Sequence, residues 1–245
     1  MYLSRIALNM ARIGARQLAA SPYKLHAAVE ASFPPHAPRA TDEGRILWRL
    51  DHNRQDHSVW LYVVSPSQPD LLHIVEQAGW PGYAEWETKD YTPFLDRLAQ
   101  GQQWHYRVCA NPVRNAATDL NLHNSLATFD KMKGSRQAYV TVRQQIDWFE
   151  RRAAANGFSL PERDPVSGFD EQVKDPLLLS SVRVIDRQRH KFRDRKNQVT
   201  LSTAVFEGTL QVEDPQSLRH ALCFGIGKAK GFGCGLMTLA PIMTP

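Results

Sequence analysis

Two dipeptides, Ser21-Pro22 and Asp214-Pro215, constrain this chain more than any other feature. Each joins a side chain that caps helices to a proline at the first helical position, where the missing N–H is harmless. Each also stands between β-like segments, so helices and strands must alternate in both halves of the 245-residue chain.

In the first half, YLSRIAL reads as a strand, followed by a loop and a helix over SPYKLHAAVEASF. RILWRLD (45–51) and SVWLYVVS (58–65) read as two strands joined by a polar turn. A short helix fits Pro69 to Gln77, ended by Gly79 and Pro81, and WHYRVCANP (104–112) closes the unit, with Pro112 stopping the strand. The second half runs a helix from about Ser135 to Ala155, with Tyr139, Val142, Ile146 and Phe149 at helical spacing and Asn156-Gly157 as its stop. After a Pro/Gly-containing loop come a basic strand, the β-like VTLSTAVFEGTLQV, the helix opened by Asp214-Pro215 and ended by Gly225, and a last strand in GLMTLAP. Both halves approximate βαββαβ. The expected fold class is therefore α+β: two tandem ferredoxin-like (RRM-like, βαββαβ) domains, at 1–115 and 135–245, joined by a polar linker over 116–134.

Composition narrows the classes. With 42% hydrophobic and 22% charged residues the chain is of ordinary globular make-up. Cys109, Cys223 and Cys234 are too few and too scattered for a disulfide framework, and point to a reducing compartment. No CxxC or HxH pair offers a structural zinc site, and no stretch reaches the 18 or so apolar residues of a membrane helix. The N-terminal stretch has Arg5, Arg12, Arg16 and Lys24 before its first acid, Glu30, as a presequence would. MYLSRIAL nevertheless reads as a buried first strand, and the expected location is the cytoplasm.

The formal charge is +5, and its distribution says more than its size. Between Arg183 and Lys196 stand Arg183, Arg187, Arg189, Lys191, Arg193, Arg195 and Lys196, against Asp186 and Asp194. That segment carries the whole excess. The basic residues fall mainly on odd positions, which on a strand makes one basic stripe. A solvated edge strand is the bland explanation. Like charges side by side repel, and arginine suits phosphate, so a polyanion is the better partner for the stripe.

Among nine histidines, His26 stands out because Tyr23 precedes it by three residues on the same predicted helix. Leu25, Ala28 and Val29 cluster on the opposite face, so Tyr23 and His26 project outward near a helix N-terminus, which favours phosphate. An imidazole there suits proton transfer. Tyr-x-x-His alone is a weak pattern, and from spacing alone a surface histidine is the better explanation. The run GIGKAKGFGCG, with Gly227, Lys228, Lys230 and Gly231, is neither GxGxxG nor a P-loop. It fits a loop wrapping a phosphate chain and also a tight helix-to-strand connection. No GxSxG, HExxH or paired-carboxylate signature supports a metabolic enzyme.

Several segments together resemble the CRISPR-associated endoribonuclease family CasE, the crRNA-processing subunit of type I-E Cascade. They are MYLSRIALN, SPYKLHAAVEASFP, ILWRLD, YRVCANPVRN, IDWFERRAAANGF, VFEGTLQVEDPQSL and GIGKAKGFGCGLMTLAPI, in order across the chain. The resemblance implies tandem ferredoxin-like domains and cleavage at the base of a CRISPR repeat hairpin, with no metal or cofactor. In that reaction the ribose 2′-hydroxyl attacks the adjacent phosphate and leaves 2′,3′-cyclic phosphate and 5′-hydroxyl ends. It places the catalytic pair on Tyr23 and His26, and RNA contacts on the basic strand and on Gly227, Lys228, Lys230 and Gly231. It also implies that the product is retained among other Cascade subunits. Two departures stand out: Ala31 and Ser32 occupy the region where relatives carry a lysine, with Lys24 and Arg39 the nearest basic residues, and Arg114 replaces a lysine after Asn111-Pro112. The competing readings are a non-catalytic RNA-hairpin-binding subunit and a general nucleic-acid module.

Overall fold

A computed structural model describes residues 1–53, 55–82, 86–115, 136–161, 181–194 and 197–242. The first sheet has strands β1 (Tyr2–Leu8), β2 (Leu47–His52), β3 (Val59–Ser65) and β4 (Trp86–Asp90), in the order β2-β3-β1-β4. All its pairings are antiparallel. Helices α1 (Ile13–Ala20), α2 (Pro22–Glu30) and α3 (Leu72–Ala78) cover one face, where Ile6, Leu61, Val63 and Trp48 meet Leu25, Val29 and Ile74 in a buried cluster. Ser21 caps α2 as expected, its hydroxyl accepting from the Lys24 N–H at 3.3 Å.

A one-turn helix α4 (Thr92–Leu95) leads to β5 (Gln103–Ala110), and here the structure corrects the sequence reading. Strand β5 does not close the first unit. It lies in the second sheet, between β11 (Met237–Ala240) and β10 (Asn197–Val212). With β8 (Phe158–Ser159) at the far edge, the order of that sheet is β11-β5-β10-β8. Tyr106, Val108 and Ala110 turn into the second core beside Phe149 and Phe206, and that burial decides the sheet they join. The strand that fills the first sheet, WETKD, is short, polar and mostly exposed, so it lacks the alternation that marks a strand. Helix α1 falls where the sequence predicts a loop, because Arg12 at its N-cap makes no side-chain capping bond.

Within the second unit, after β5, β6 (Val113–Asn115) pairs with β7 (Arg136–Ala138). The expected linker at 116–134 lies outside the described residues, as does 162–180. Helix α5 (Val142–Ala153) starts later than expected, at a capping box in which Thr141 and Gln144 satisfy each other's backbone N–H groups. Gly157, at φ +77°, ends this segment. Helix α6 (Pro215–Phe224) has the predicted Asp214 cap, and Gly225 follows it. Strand order 4-1-3-2 thus occurs twice, giving two ferredoxin-like units in tandem.

The free face of the first sheet packs on the end of α6 and on β11. Arg49, 1% exposed, crosses this junction. It holds Asp51 bidentately at 2.7 and 2.8 Å and donates to Arg107 O at 2.6 Å, Leu236 O at 3.0 Å and Thr238 Oγ1 at 2.8 Å. Its guanidinium stacks on Tyr62. Among the described residues no helix is long and apolar enough to cross a membrane.

Candidate functional site

Strand β9 (Arg183–Asp194) pairs with β10 as a long ribbon. Pairing of β10 with β5 begins only at Ala204, so Gln188–Asp194 of β9 and Asn197–Thr203 of β10 project beyond the sheet. The predicted stripe is broken at one place. The register shifts between Val205 and Phe206, leaving Ile185 as a bulge. Arg187, Arg189 and Lys191 stand opposite Ala204, Ser202 and Thr200 and share one face. Arg183 stands opposite Glu207, three residues further along β10, and so lies on the other face, where its Nη2 is 3.6 Å from the Glu207 carboxylate. Arg193 pairs with Gln198 in register, and Arg195 and Lys196 lie outside the described residues. Arg187 donates to Val140 O at 3.2 Å, whereas Arg189 and Lys191 are exposed. The opposite ribbon face carries His190 and Phe192. Burial holds the His190 imidazole below its ordinary range, against the opposing pull of Asp186.

Helix α2 presents Tyr23, 43% exposed, and His26, while Leu25 and Val29 are buried beneath them. His26 Nδ1 is buried without a hydrogen-bond partner, and the nearest carboxylate oxygen, Glu30 Oε1, is 4.0 Å away. Glu30 is itself fixed by Arg39, whose Nε bonds Oε2 at 2.7 Å and whose Nη1 reaches Pro34 O and Ala37 O. Arg39 is thereby bound to Glu30 and to the chain just past this helix end.

The glycine run brings the two units together at this helix. Gly227 (φ +82°) and Gly233 (φ +80°) take the left-handed backbone that favours glycine, and Ala229 shares it at φ +61°. A Cβ at Gly227 would meet Trp148 at 3.1 Å, and one at Gly233 would meet Trp48 Cζ3 at 2.5 Å. Gly231 lies against His26, with a Cβ position 3.6 Å from Cε1 of the imidazole. Its neighbour Phe232 meets His26 edge-on at 6.0 Å between ring centres and Phe192 of the ribbon at 4.9 Å. Lys228 is exposed and Lys230 half-buried. Beside Phe232 and Gly233 opens a cleft of about 390 Å³ lined by Leu25, Trp48, Asp51, His190, Thr203 and Phe232, among others.

Phe232 therefore joins a proton-transfer group, a loop of permissive backbone and the His190 and Phe192 face of the ribbon, the face opposite Arg187, Arg189 and Lys191. Sequence reasoning missed Glu30, Phe232 and Phe192. Glu30 was legible, being four residues after His26 on one helix face. The aromatic pair gave no local signal, because 40 residues separate its members. Among the described residues no group of three His, Cys, Asp or Glu side chains gathers where a metal ion would be held.

A basic ribbon, a glycine loop and an imidazole stand together on tandem ferredoxin-like units, and similarity to known proteins identifies the family. The family model described as CRISPR associated protein matches residues 1–241, and the chain belongs to that family. It is 29% identical over 243 residues to the CRISPR-associated endoribonuclease Cse3 of Thermus thermophilus, covering 98% of this chain and 100% of that one. It is 26% identical to the Cascade subunit CasE of Escherichia coli, covering 99% and 100%. The structure of Cse3 bound to a 19 nt RNA superposes with a TM-score of 0.72 at 27% identity, over 98% of this chain and 100% of that one. The resemblance to CasE drawn from the sequence segments is borne out.

Proposed function

We propose that this protein is an endoribonuclease that cuts CRISPR precursor RNA at the base of the repeat hairpin and keeps the product within a Cascade complex in the cytoplasm. The observation that carries the reading is the meeting of His26, Gly231 and Phe232, which sets a proton-transfer group where the RNA-facing loop and ribbon converge.

In this reading the 2′-oxygen forms a new bond to phosphorus as the bond to the 5′-oxygen breaks. One proton leaves the 2′-hydroxyl and one arrives on the 5′-oxygen, so no water is consumed. His26 carries one of these transfers, and Tyr23, one helical turn earlier, orients the phosphate. The ribbon residues Arg187, Arg189 and Lys191 hold the hairpin stem through its phosphates, as A-form RNA is read mainly by shape and backbone. Glycines 227 and 231 let the strand approach the loop backbone closely. The first unit supplies the reacting helix and the second the RNA grip, with the boundary between Asp90 and Gln103.

The test is cleavage of a labelled repeat hairpin in EDTA by wild type and His26→Ala, with 2′-deoxy substitution at each candidate position. Loss of the imidazole slows cutting by about 100- to 10,000-fold while leaving binding nearly intact. A wild-type protein that binds the hairpin tightly and never cuts it is instead a binding subunit, with Tyr23 and His26 as RNA contacts.

A further inference from the structure

The imidazole of His26 stands partly open, its side chain 35% exposed, yet its Nδ1 is buried without a hydrogen-bond partner. A buried polar atom left unpaired is costly, so the group able to reach it matters. That group is Glu30, four residues further along α2, with Oε1 at 4.0 Å. Among the described residues it is the one ion-pair partner His26 has. The carboxylate is not free to swing away. Arg39 Nε bonds its other oxygen, Oε2, at 2.7 Å, and Arg39 Nη2 donates to Glu30 O at 3.4 Å. Arg39 is held in turn by Pro34 O at 2.9 Å and Ala37 O at 2.8 Å, with its guanidinium 5.8 Å from the centre of the Phe33 ring. Phe232, backed by Phe192 of the ribbon, meets the imidazole edge-on and restricts it further.

An ionised carboxylate only accepts hydrogen bonds, so Nδ1 must carry a proton to use this one. The neutral ring then has its proton on Nδ1 and a free lone pair on Nε2. An imidazole with no such partner favours the opposite form. The 4.0 Å separation is about 1 Å longer than a hydrogen bond, a gap of the kind that closes when substrate orders a site. We infer that Glu30, anchored by Arg39, is a positioning residue that holds the Nδ1–H of His26 and so turns Nε2 toward the reacting oxygen of the RNA. The inference rests on the endoribonuclease reading and deepens it. Nε2 either takes the proton that leaves the 2′-hydroxyl or, in the charged ring, gives the proton that arrives on the 5′-oxygen. Nδ1 keeps its proton in both cases, and the Glu30 carboxylate stabilises the charged ring in both.

The experiment has two readouts. Long-range proton–nitrogen NMR correlations at about pH 8.5, above the ordinary imidazole range, locate the proton of the neutral ring, and His26→Ala identifies the signals of residue 26. Wild type, free or bound to a 2′-deoxy hairpin, is expected to carry that proton on Nδ1, and Glu30→Ala on Nε2. The second readout is single-turnover cutting of the labelled hairpin in EDTA at saturating protein, with the hairpin Kd measured alongside. Glu30→Ala is expected to cut about 10- to 100-fold more slowly at a Kd within about twofold of wild type. Glu30→Gln, whose amide oxygen still accepts from Nδ1, keeps the wild-type tautomer and cuts at least about threefold faster than Glu30→Ala. The wild-type spectra keep the test open if Glu30→Ala fails to fold. A wild-type proton on Nε2 in both states overturns the inference, and so does wild-type cutting by Glu30→Ala. A rate loss matched by an equal loss of binding overturns it as well, because Glu30 then only shapes the helix end. Each of these leaves the endoribonuclease reading standing, whereas a wild-type protein that binds the hairpin and never cuts it sinks both.

Discussion

Replacing Arg49 by alanine is the sharpest test of how the two units are held together. The side chain is 1% exposed and makes five hydrogen bonds, two to Asp51 and three across the junction. Its removal leaves Asp51, 8% exposed, with Arg107 Nη1 at 3.5 Å as the remaining ion-pair contact, and strips a donor from one buried and one part-buried carbonyl. Breaking a buried pair by deleting one partner costs about 3–5 kcal/mol. For a chain of this size each kcal/mol moves the midpoint by roughly 2–4 °C, so Tm should fall by about 6–20 °C. Far-UV circular dichroism measures it, with a second, earlier transition expected as one unit melts without the other. Arg49→Met combined with Asp51→Leu removes both charges and recovers at least about 2 kcal/mol of the loss. A single Arg49→Ala transition within about 2 °C of wild type would refute the reasoning, because the junction would then owe nothing to this residue.

Four further outcomes follow from the site and its surroundings. Gly233→Ala forces a side chain into Trp48 at a left-handed position and should destabilise by about 2–4 kcal/mol in urea unfolding. Gly231→Ala, at an ordinary φ, leaves stability unchanged, while Gly231→Leu crowds the imidazole and slows cutting about 10- to 100-fold at unchanged Tm. Arg189→Ala with Lys191→Ala should lower the salt slope of hairpin binding by roughly 1.4–1.8, and an unchanged slope rejects the ribbon as a phosphate contact. Burial, against the pull of Asp186, lowers the His190 pKa below its ordinary 6.5. Its contribution to stability is complete above that value and is lost as pH falls below it through the folded pKa. An NMR titration midpoint at or above 6.5 counts against a buried ring.

What could be read in advance was whatever lies close together in the chain. The caps at Ser21 and Asp214, the glycine stops at Gly157 and Gly225 and the apolar face of α2 are local, and each stands where expected. Membership of a sheet is not local. WHYRVCANP is visibly a strand, yet only its burial against Phe149 and Phe206 assigns it to the second unit. The basic stripe failed at Arg183 for a similar reason: strict alternation holds until a bulge inserts one residue, and Ile185 carries no glycine or proline to announce it. Tyr23 and His26 were legible as an outward pair, whereas the Phe192–Phe232 contact arises from chain segments that meet only on folding.

The Arg49 junction bears on how such a protein can drift over evolutionary time. Two of its three cross-unit bonds end on main-chain oxygens, at Arg107 and Leu236, and only Thr238 contributes a side chain. Every residue type offers the same carbonyl, so those two positions can change identity while the bond survives. Correlated substitution between the halves would therefore leave little trace of this contact, and a search for co-varying pairs would miss the side chain that joins them.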